Sequence, residues 1–339
     1  MTIISTRYGI PPTRMREIRV DAHPRIHLGL LSLHEQAPRK NGGIGFALKG
    51  PVVEVTLREG SNLTIDDARR TPMTSGELLS LMEVLEHFMC AHGLSRCGLI
   101  RIGGGMRTHV GMGSATAIRL AATEALALLN ERTLSAADLV NASGRGGTSG
   151  IGINAYFKGG LVCDLGRPND GTPHMPSSLK APVRAPLALP IVSMPSWPML
   201  LCLPRLIKAK TQQEEVEFFQ RTTPLPAAAS YEASYIALFD IYAAVSECDY
   251  HNFCQGIAKI QKTAWKQAEW AEYGEPLRFL AKALLDAGAD CVGMSSLGPM
   301  LFCFADTQHL DAIAACADAM DCDVHFTSPV NAGRHVSHA

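Results

Sequence analysis

The stretch His109-Val-Gly-Met-Gly-Ser-Ala-Thr116 runs directly into AIRLAATEALALLN at positions 117–130, and this join carries most of the information in the chain. Gly111 and Gly113 let the backbone turn tightly and expose consecutive N–H groups. Ser114 stands where a helix cap is expected, so the positive end of the helix dipole faces the loop. Such a loop can cradle a phosphate. A plain helix start with glycines kept for close packing is the alternative, because short Gly-rich loops are weakly specific. The helix that follows carries only Arg119 and Glu124 as charges, which predicts a buried central helix.

Three further segments share this chemistry. Gly144-Arg-Gly-Gly-Thr-Ser-Gly-Ile-Gly-Ile153 offers backbone donors, the hydroxyls of Thr148 and Ser149, and the fork of Arg145 beside Gly146 and Gly147, a set suited to phosphate or a polyhydroxylated sugar. In Arg25-Ile-His-Leu-Gly-Leu-Leu31, strand alternation sets Arg25 and His27 on one face and Ile26 and Leu28 on the other. A cation beside an imidazole can receive an anion, although a lone His next to a strand is more often structural. Gly293-Met-Ser-Ser-Leu-Gly-Pro299 places Ser295 and Ser296 in a turn that is equally a ligand loop or a connector. Asp164, in a strand of apolar neighbours, needs a partner or a task.

The wider pattern is α+β, with helices layered on mixed sheets. Strands are expected at Val52–Leu57, Gly98–Ile102, Gly160–Leu165, Pro198–Leu203, Met300–Phe304 and Asp323–Phe326. Helices are expected at Ser75–His92, Gln212–Gln220, Ala227–Cys248, Tyr250–Ala271, Glu275–Ala287 and Thr307–Met320. Eight prolines between 166 and 198 forbid a long helix and suggest an extended crossing. The domain boundary is set there, giving units 1–185 and 186–339.

Composition narrows the function. The chain has 339 residues, 47% hydrophobic and 19% charged, which suits a folded globular protein. Its net charge of -1 leaves no basic field for nucleic acid. The most apolar run, 187–204, is broken by prolines and is too short to span a membrane, and the N-terminus lacks the pattern of a secretory signal. The cytoplasm is therefore the expected compartment. Ten cysteines without a Cys-x-x-Cys pair read as reduced core thiols, and no histidine spacing suits zinc. His335 and His338 are expected in a frayed tail. A closed homodimer is the expected assembly.

Taken together, RIHLGLL, NGGIGFAL, HVGMGSAT, GRGGTSGIGINAYFKGG and GMSSLGPM resemble the GHMP kinase superfamily and, within it, the β-ribofuranosylaminobenzene 5′-phosphate synthases. The resemblance runs from about residue 25 to 306. It implies a GHMP kinase-like two-domain fold, with a first half like domain 2 of ribosomal protein S5 and a ferredoxin-like second half. Superfamily kinases carry a catalytic Asp where Gly152 stands, and an acidic magnesium ligand where Asn141 stands. The resemblance therefore implies a scaffold without phosphoryl-transfer machinery. It implies that 5-phosphoribosyl 1-pyrophosphate is joined to 4-hydroxybenzoate or 4-aminobenzoate, with loss of pyrophosphate and CO2, in tetrahydromethanopterin biosynthesis. Gly111, Gly113 and Ser114 would then hold pyrophosphate with Mg²⁺, Ser114 being the metal ligand. Arg145, Gly146, Gly147, Thr148 and Ser149 would contact the phosphoribosyl part. Arg25 and His27 would hold the aryl carboxylate or a phosphate, and Asp164 the para substituent or a ribose hydroxyl. An ATP-dependent small-molecule kinase is the alternative, and a non-catalytic ligand sensor a third reading. Two positions depart from the family pattern: Ser32, where an acid is usual, and Arg107, where a proline opens the kinase loop and a cation beside pyrophosphate is expected instead.

Overall fold

The computed structural model describes residues 16–145, 149–176 and 186–338. Alternating apolar residues make β1 (Glu17–Ala22) and β4 (Val53–Gly60), while β2 (Arg25–Ser32) and β3 (Arg39–Ala47) are buried almost throughout and β5 (Thr64–Asp67) is a short edge strand. After α1 (Ser75–His92) come β6 (Cys97–Gly104), α2 (Ser114–Leu129), α3 (Ala136–Ser143), α4 (Ile151–Lys158), β7 (Leu161–Asp164) and the short β8 (Arg167–Pro168). The second half opens with β9 (Met199–Pro204), α5 (Gln212–Thr222), α6 (Ala227–Tyr235), a π-helical stretch (Ile236–Tyr242) and α7 (Ala243–Ser246). It continues through α8 (Tyr250–Ile260), α9 (Ala264–Ala271), α10 (Gly274–Asp286), β10 (Cys291–Met294), β11 (Leu301–Phe304), α11 (Leu310–Ala319), β12 (Cys322–Thr327) and β13 (His335–His338).

Three sheets result. One runs β13-β1-β4-β6-β5, parallel only between β5 and β6, and a second runs β2-β3-β7 with β8 on the edge of β3. The third, β10-β11-β9-β12, is antiparallel throughout. Its strands and helices follow the split βαβ order of a ferredoxin-like unit. The α+β expectation holds. α2 is the axis of the first half: alanines at 117, 121, 122, 125 and 127 are buried and let it lie close against the first sheet.

The two halves share one core. Phe46 of β3 is fully buried and meets Phe253 of α8 and Phe302 and Phe304 of β11, with ring centroids 6.4, 6.4 and 5.9 Å away. These tilted and edge-on contacts use the ring quadrupoles as well as area burial.

The structure departs from the sequence reading at four places. The tail expected to fray at His335 and His338 is β13, antiparallel to β1, so the end of the chain returns to the first sheet. The helix expected over Tyr250–Ala271 is two helices, because Thr263 takes an extended N-cap conformation and its hydroxyl donates to Ile260 O at 2.8 Å. The helix expected over Ala227–Cys248 is π-wound at 236–242, where Gly256 of α8 approaches so closely that a Cβ there would lie 2.8 Å from Ile241 Cγ1. Ser114 is not the cap of α2. Gly113, left-handed at φ +81°, holds the N-cap position and makes no side-chain bond, so Ser114 is the first helical residue.

Two stability predictions follow from the packing. Phe46→Ala removes the ring that joins the halves and is expected to cost about 3–5 kcal/mol in urea unfolding. Gly111→Ala is expected to be worse than Gly144→Ala. Both have positive φ, but a Cβ at 144 meets nothing within 4 Å, whereas one at 111 would lie 2.2 Å from Ser295 O. Gly144→Ala should cost about 1–2 kcal/mol for the left-handed backbone alone. Equal unfolding midpoints for the two variants would contradict this packing.

Candidate active site

The loop at 109–113 is clamped from two sides. Gly111 O accepts from the Arg25 guanidinium and from Ser295 Oγ, the latter at 2.7 Å, while Ser295 Oγ accepts from His27 N at 3.1 Å. Arg25 N also donates to Met112 O at 3.0 Å, and Ser296 N to His27 O at 3.0 Å. β2, the loop and the 293–299 turn therefore form one unit. Ser295 is fully buried and serves this clamp, whereas Ser296 reaches the clefts.

Two clefts open beside the clamp. The first is lined by Arg25, His109, Ser114, Arg145 and Lys210 around the start of α2. The second is lined by His27, Leu30, Phe219, Trp265 and Leu297, with Ser149 and Gly152 also on its wall. Arg25, Thr116, Glu215, Ser296 and Leu297 belong to both, so the clefts share a wall. Of the sequence candidates, Arg25, His27, Gly111, Gly113, Ser114, Arg145, Ser149 and Ser296 line this region. Gly146, Gly147 and Thr148 lie outside the described residues.

Electrostatics divides the clefts. Burial pushes Arg25 and Arg145 down to about 10, which leaves both cationic at neutral pH. Arg145 donates through Nε and Nη2 to Thr116 Oγ1 at 3.2 and 2.9 Å, so α2 orients its fork. The amides of Ser114 and Ala115, at the first turn of α2, have no acceptor among the described residues. His109 Nε2 lies 2.8 Å from Glu77 Oε1, and the hydrogen bond raises the pKa of the ring. Burial opposes ionisation of Glu77, but its bonds with His109 and Thr74 outweigh this and hold it at about 2. The first cleft is thus positive.

The second is more apolar. Burial, with Arg25 and Lys266 nearby, holds His27 well below its ordinary pKa, so the ring is neutral. Ser149 Oγ donates to Asp164 Oδ2 at 3.0 Å and lies 3.2 Å from His27 Nε2. Since that hydroxyl has one proton, the His27 Nε2–H donates to it.

Asp164 sits behind this pair. It is fully buried, its Oδ2 also accepts from Gly150 N at 2.9 Å and its Oδ1 from Gly166 N at 2.8 Å, and it lines neither cleft. Its bonds tether the Ser149–Gly150 turn, rather than contacting the para substituent or ribose as expected from the resemblance. Arg107 also differs from expectation. Its guanidinium pairs with Asp323 and faces a separate surface cleft, because β12 supplies a nearer anion than the loop does. Ser32 Oγ donates to Arg39 O at 2.7 Å, a strand-closing bond.

Sequence reasoning missed Lys210, Glu215, Phe219 and Trp265. The capping box of Thr211 and Glu214 marks the start of α5 and was readable as Thr-x-x-Glu. Nothing local says that this turn faces the loop at 109–113. Glu215 is half-buried; burial pushes its carboxyl up, and His109, Arg145 and Arg25 oppose that shift.

Asp164 gives a pH prediction. Burial raises it to about 6 despite three hydrogen bonds, so the folded state holds its proton more tightly than the unfolded chain. Its contribution is complete below the unfolded pKa near 4 and is lost as pH rises through about 6. Asp164→Asn should therefore destabilise more at pH 5 than at pH 7.5, by roughly 1.4 kcal/mol. A pH-independent difference in unfolding free energy would contradict a raised Asp164.

No family model matches the chain. It is 12–17% identical to the solved kinases of this shape, and the homoserine kinase of Cytophaga hutchinsonii is typical, with a TM-score of 0.65 at 16% identity over 99% of this chain and 100% of that one. That likeness concerns the fold, which is that of the GHMP kinases. In sequence, the β-ribofuranosylphenol 5′-phosphate synthase of Methanothermobacter thermautotrophicus is 27% identical over 311 residues, 90% of this chain and 93% of the relative. The synthase of that name from Archaeoglobus fulgidus is 32% identical over 293 residues, 86% and 88% of the two chains. With this extent of identity over most of both chains, the chain belongs to the β-ribofuranosylphenol 5′-phosphate synthase family.

Proposed function

We propose that the protein joins 5-phosphoribosyl 1-pyrophosphate to a para-substituted benzoate with loss of pyrophosphate and CO2. The observation that carries this reading is the shared wall between a cationic cleft at the start of α2 and an aromatic-lined one. One cleft suits a phosphorylated sugar and the other a ring. The relatives' name, a ribofuranosylphenol phosphate, supports 4-hydroxybenzoate as acceptor over 4-aminobenzoate.

The chemistry uses what the clefts contain. The bond from ribose C1 to pyrophosphate breaks and its electron pair leaves with pyrophosphate. The ring carbon bearing the carboxylate forms the new bond to C1, and the pair from the carbon–carboxylate bond restores aromaticity as CO2 departs. No base is needed at that carbon. What lowers the barrier is stabilisation of the leaving group by fixed donors and cations: Arg25, Arg145, Lys210 and the amides of Ser114 and Ala115. Leu30, Phe219, Trp265 and Leu297 take the ring and exclude water.

A magnesium ion fits here as a companion of the diphosphate. No group of three or more His, Cys, Asp or Glu among the described residues could hold an ion by itself, and Mg²⁺ commonly binds through substrate phosphates and waters. Ser114 Oγ, on the cleft wall, would hold it together with the diphosphate oxygens. The ion would supply charge neutralisation for the leaving group.

The kinase reading finds no support at Gly152. That residue lines the aromatic cleft, with Thr116 Cγ2 3.3 Å from where its Cβ would be, so this position brings no carboxylate to the start of α2. No helix among the described residues is long and apolar enough to cross a membrane.

The test is incubation with Mg²⁺, 5-phosphoribosyl 1-pyrophosphate and carboxyl-labelled 4-hydroxybenzoate, without ATP. Equimolar CO2 and pyrophosphate are expected, whereas ADP formation from ATP and an alcohol with no CO2 would return the chain to the kinases. Arg145→Ala should lower kcat/KM for the sugar substrate about 100-fold, since a charge-assisted contact to phosphate is lost. Turnover near wild type with intact folding would remove Arg145 from the site. Protonated His109 adds to the cationic cleft, so binding of the sugar diphosphate should weaken as pH rises through the raised His109 pKa. In His109→Gln that part of the pH dependence should vanish from a calorimetric titration.

A further inference from the structure

One charged group on the shared wall is not used by this scheme. Glu215 lines both clefts, and it belongs to α5 of the second half, while most of the cations around it come from the first half. The other carboxylates of the clefts are committed. Glu77 is bonded to Thr74 and His109, and Glu269 pairs with Lys266 Nζ at 2.5 Å. The Glu215 carboxylate makes no hydrogen bond and no ion pair within 4.0 Å among the described residues, while its backbone N donates to Thr211 O at 3.0 Å.

Position decides what such a group can do. A substrate with its phosphates in one cleft and its reaction partner in the other must place the reacting ribose carbon at the wall between them. That carbon gains positive charge as pyrophosphate leaves. A carboxylate held at the wall is attracted to that charge more strongly in the transition state than to the neutral carbon of the ground state. The cations nearby do not cancel this effect, because the bound phosphates engage them.

Glu215 is also held in place. The Thr211–Glu214 capping box fixes the first turn of α5, with Thr211 N donating to Glu214 Oε2 at 2.8 Å, and Val216, Phe218 and Phe219 anchor the next turn in the core. Little reorganisation is then required when charge develops. We propose that Glu215 is a catalytic carboxylate that stabilises the oxocarbenium-like ribose C1 during pyrophosphate departure. The proposal rests on the ribosyl-transfer reading above. The group forms no bond and moves no proton, so the balance of the reaction is unchanged: pyrophosphate leaves with its electron pair, the ring supplies the new one, and CO2 is released.

The test compares wild type with Glu215→Gln, which keeps the shape and removes the charge, in the CO2 and pyrophosphate assay. The expected result is a kcat lower by about 100-fold or more, with KM for both substrates within about threefold. Glu215→Ala should be equally slow and partly rescued by millimolar formate, a small carboxylate that fits the vacated space. This arm also serves if the Gln variant folds poorly by circular dichroism. An unchanged kcat, or no rescue of a folded Ala variant, would overturn the proposal. A raised KM for the sugar diphosphate that excess Mg²⁺ restores would also overturn it, making Glu215 a metal ligand instead. Absence of CO2 release by the wild type would refute the ribosyl-transfer reading itself, a separate outcome.

Discussion

The carbonyl of Gly111 is the point on which the site depends. It accepts from Arg25 of β2 and from Ser295 of the 293–299 turn, and the glycine has no side chain to hold these groups apart. With its Ser295 clamp, the loop reaches α2 in a left-handed conformation that frees the first amides of the helix. Had the loop been pinned by a side-chain cap instead, one of those amides would already be satisfied. The same carbonyl binds the two halves of the chain together, since Arg25 and Ser295 come from opposite sides of residue 186.

Charge follows from this geometry. Arg145 is buried and Arg25 half-buried, which costs solvation, and each repays it through hydrogen bonds to the loop or to α2. Burial also keeps His27 neutral, so the imidazole acts as a donor to Ser149 and adds no further positive charge. The result is a steep change of character across one wall. His109, Arg145, Lys210 and the helix amides lie on one side, Leu30, Phe219 and Trp265 on the other, and Arg25 and Leu297 on the wall between.

The division of labour between buried acids is instructive. Asp164 and Glu215 are both carboxylates with raised pKa, yet one has every oxygen occupied by backbone amides and a hydroxyl, and the other has none. Asp164 therefore acts on the architecture of the 149–150 turn, and Glu215 on whatever occupies the clefts. The full burial of Asp164, the half-burial of Glu215 and their hydrogen-bond partners all distinguish these roles.

Much of this was legible in the chain before any fold was known. The 109–116 loop and its Ala-rich helix, the 25–31 strand and the 293–296 turn all carry local signatures, because glycine conformation, strand alternation and capping chemistry act over a few residues. The α+β class and most element positions follow from the same short-range rules. Lys210, Glu215, Phe219 and Trp265 were not legible, because their roles arise from α5 and α9 being folded over a loop a hundred or more residues away. The strand at 335–338 has no local signature, because its stability lies in pairing with β1. Sequence by itself determined which segments could bind an anion. Only the tertiary structure decided that an aromatic-lined cleft adjoins the cationic one and that the Glu215 carboxylate stands between them, since contacts between segments distant in sequence depend on packing and not on local propensity.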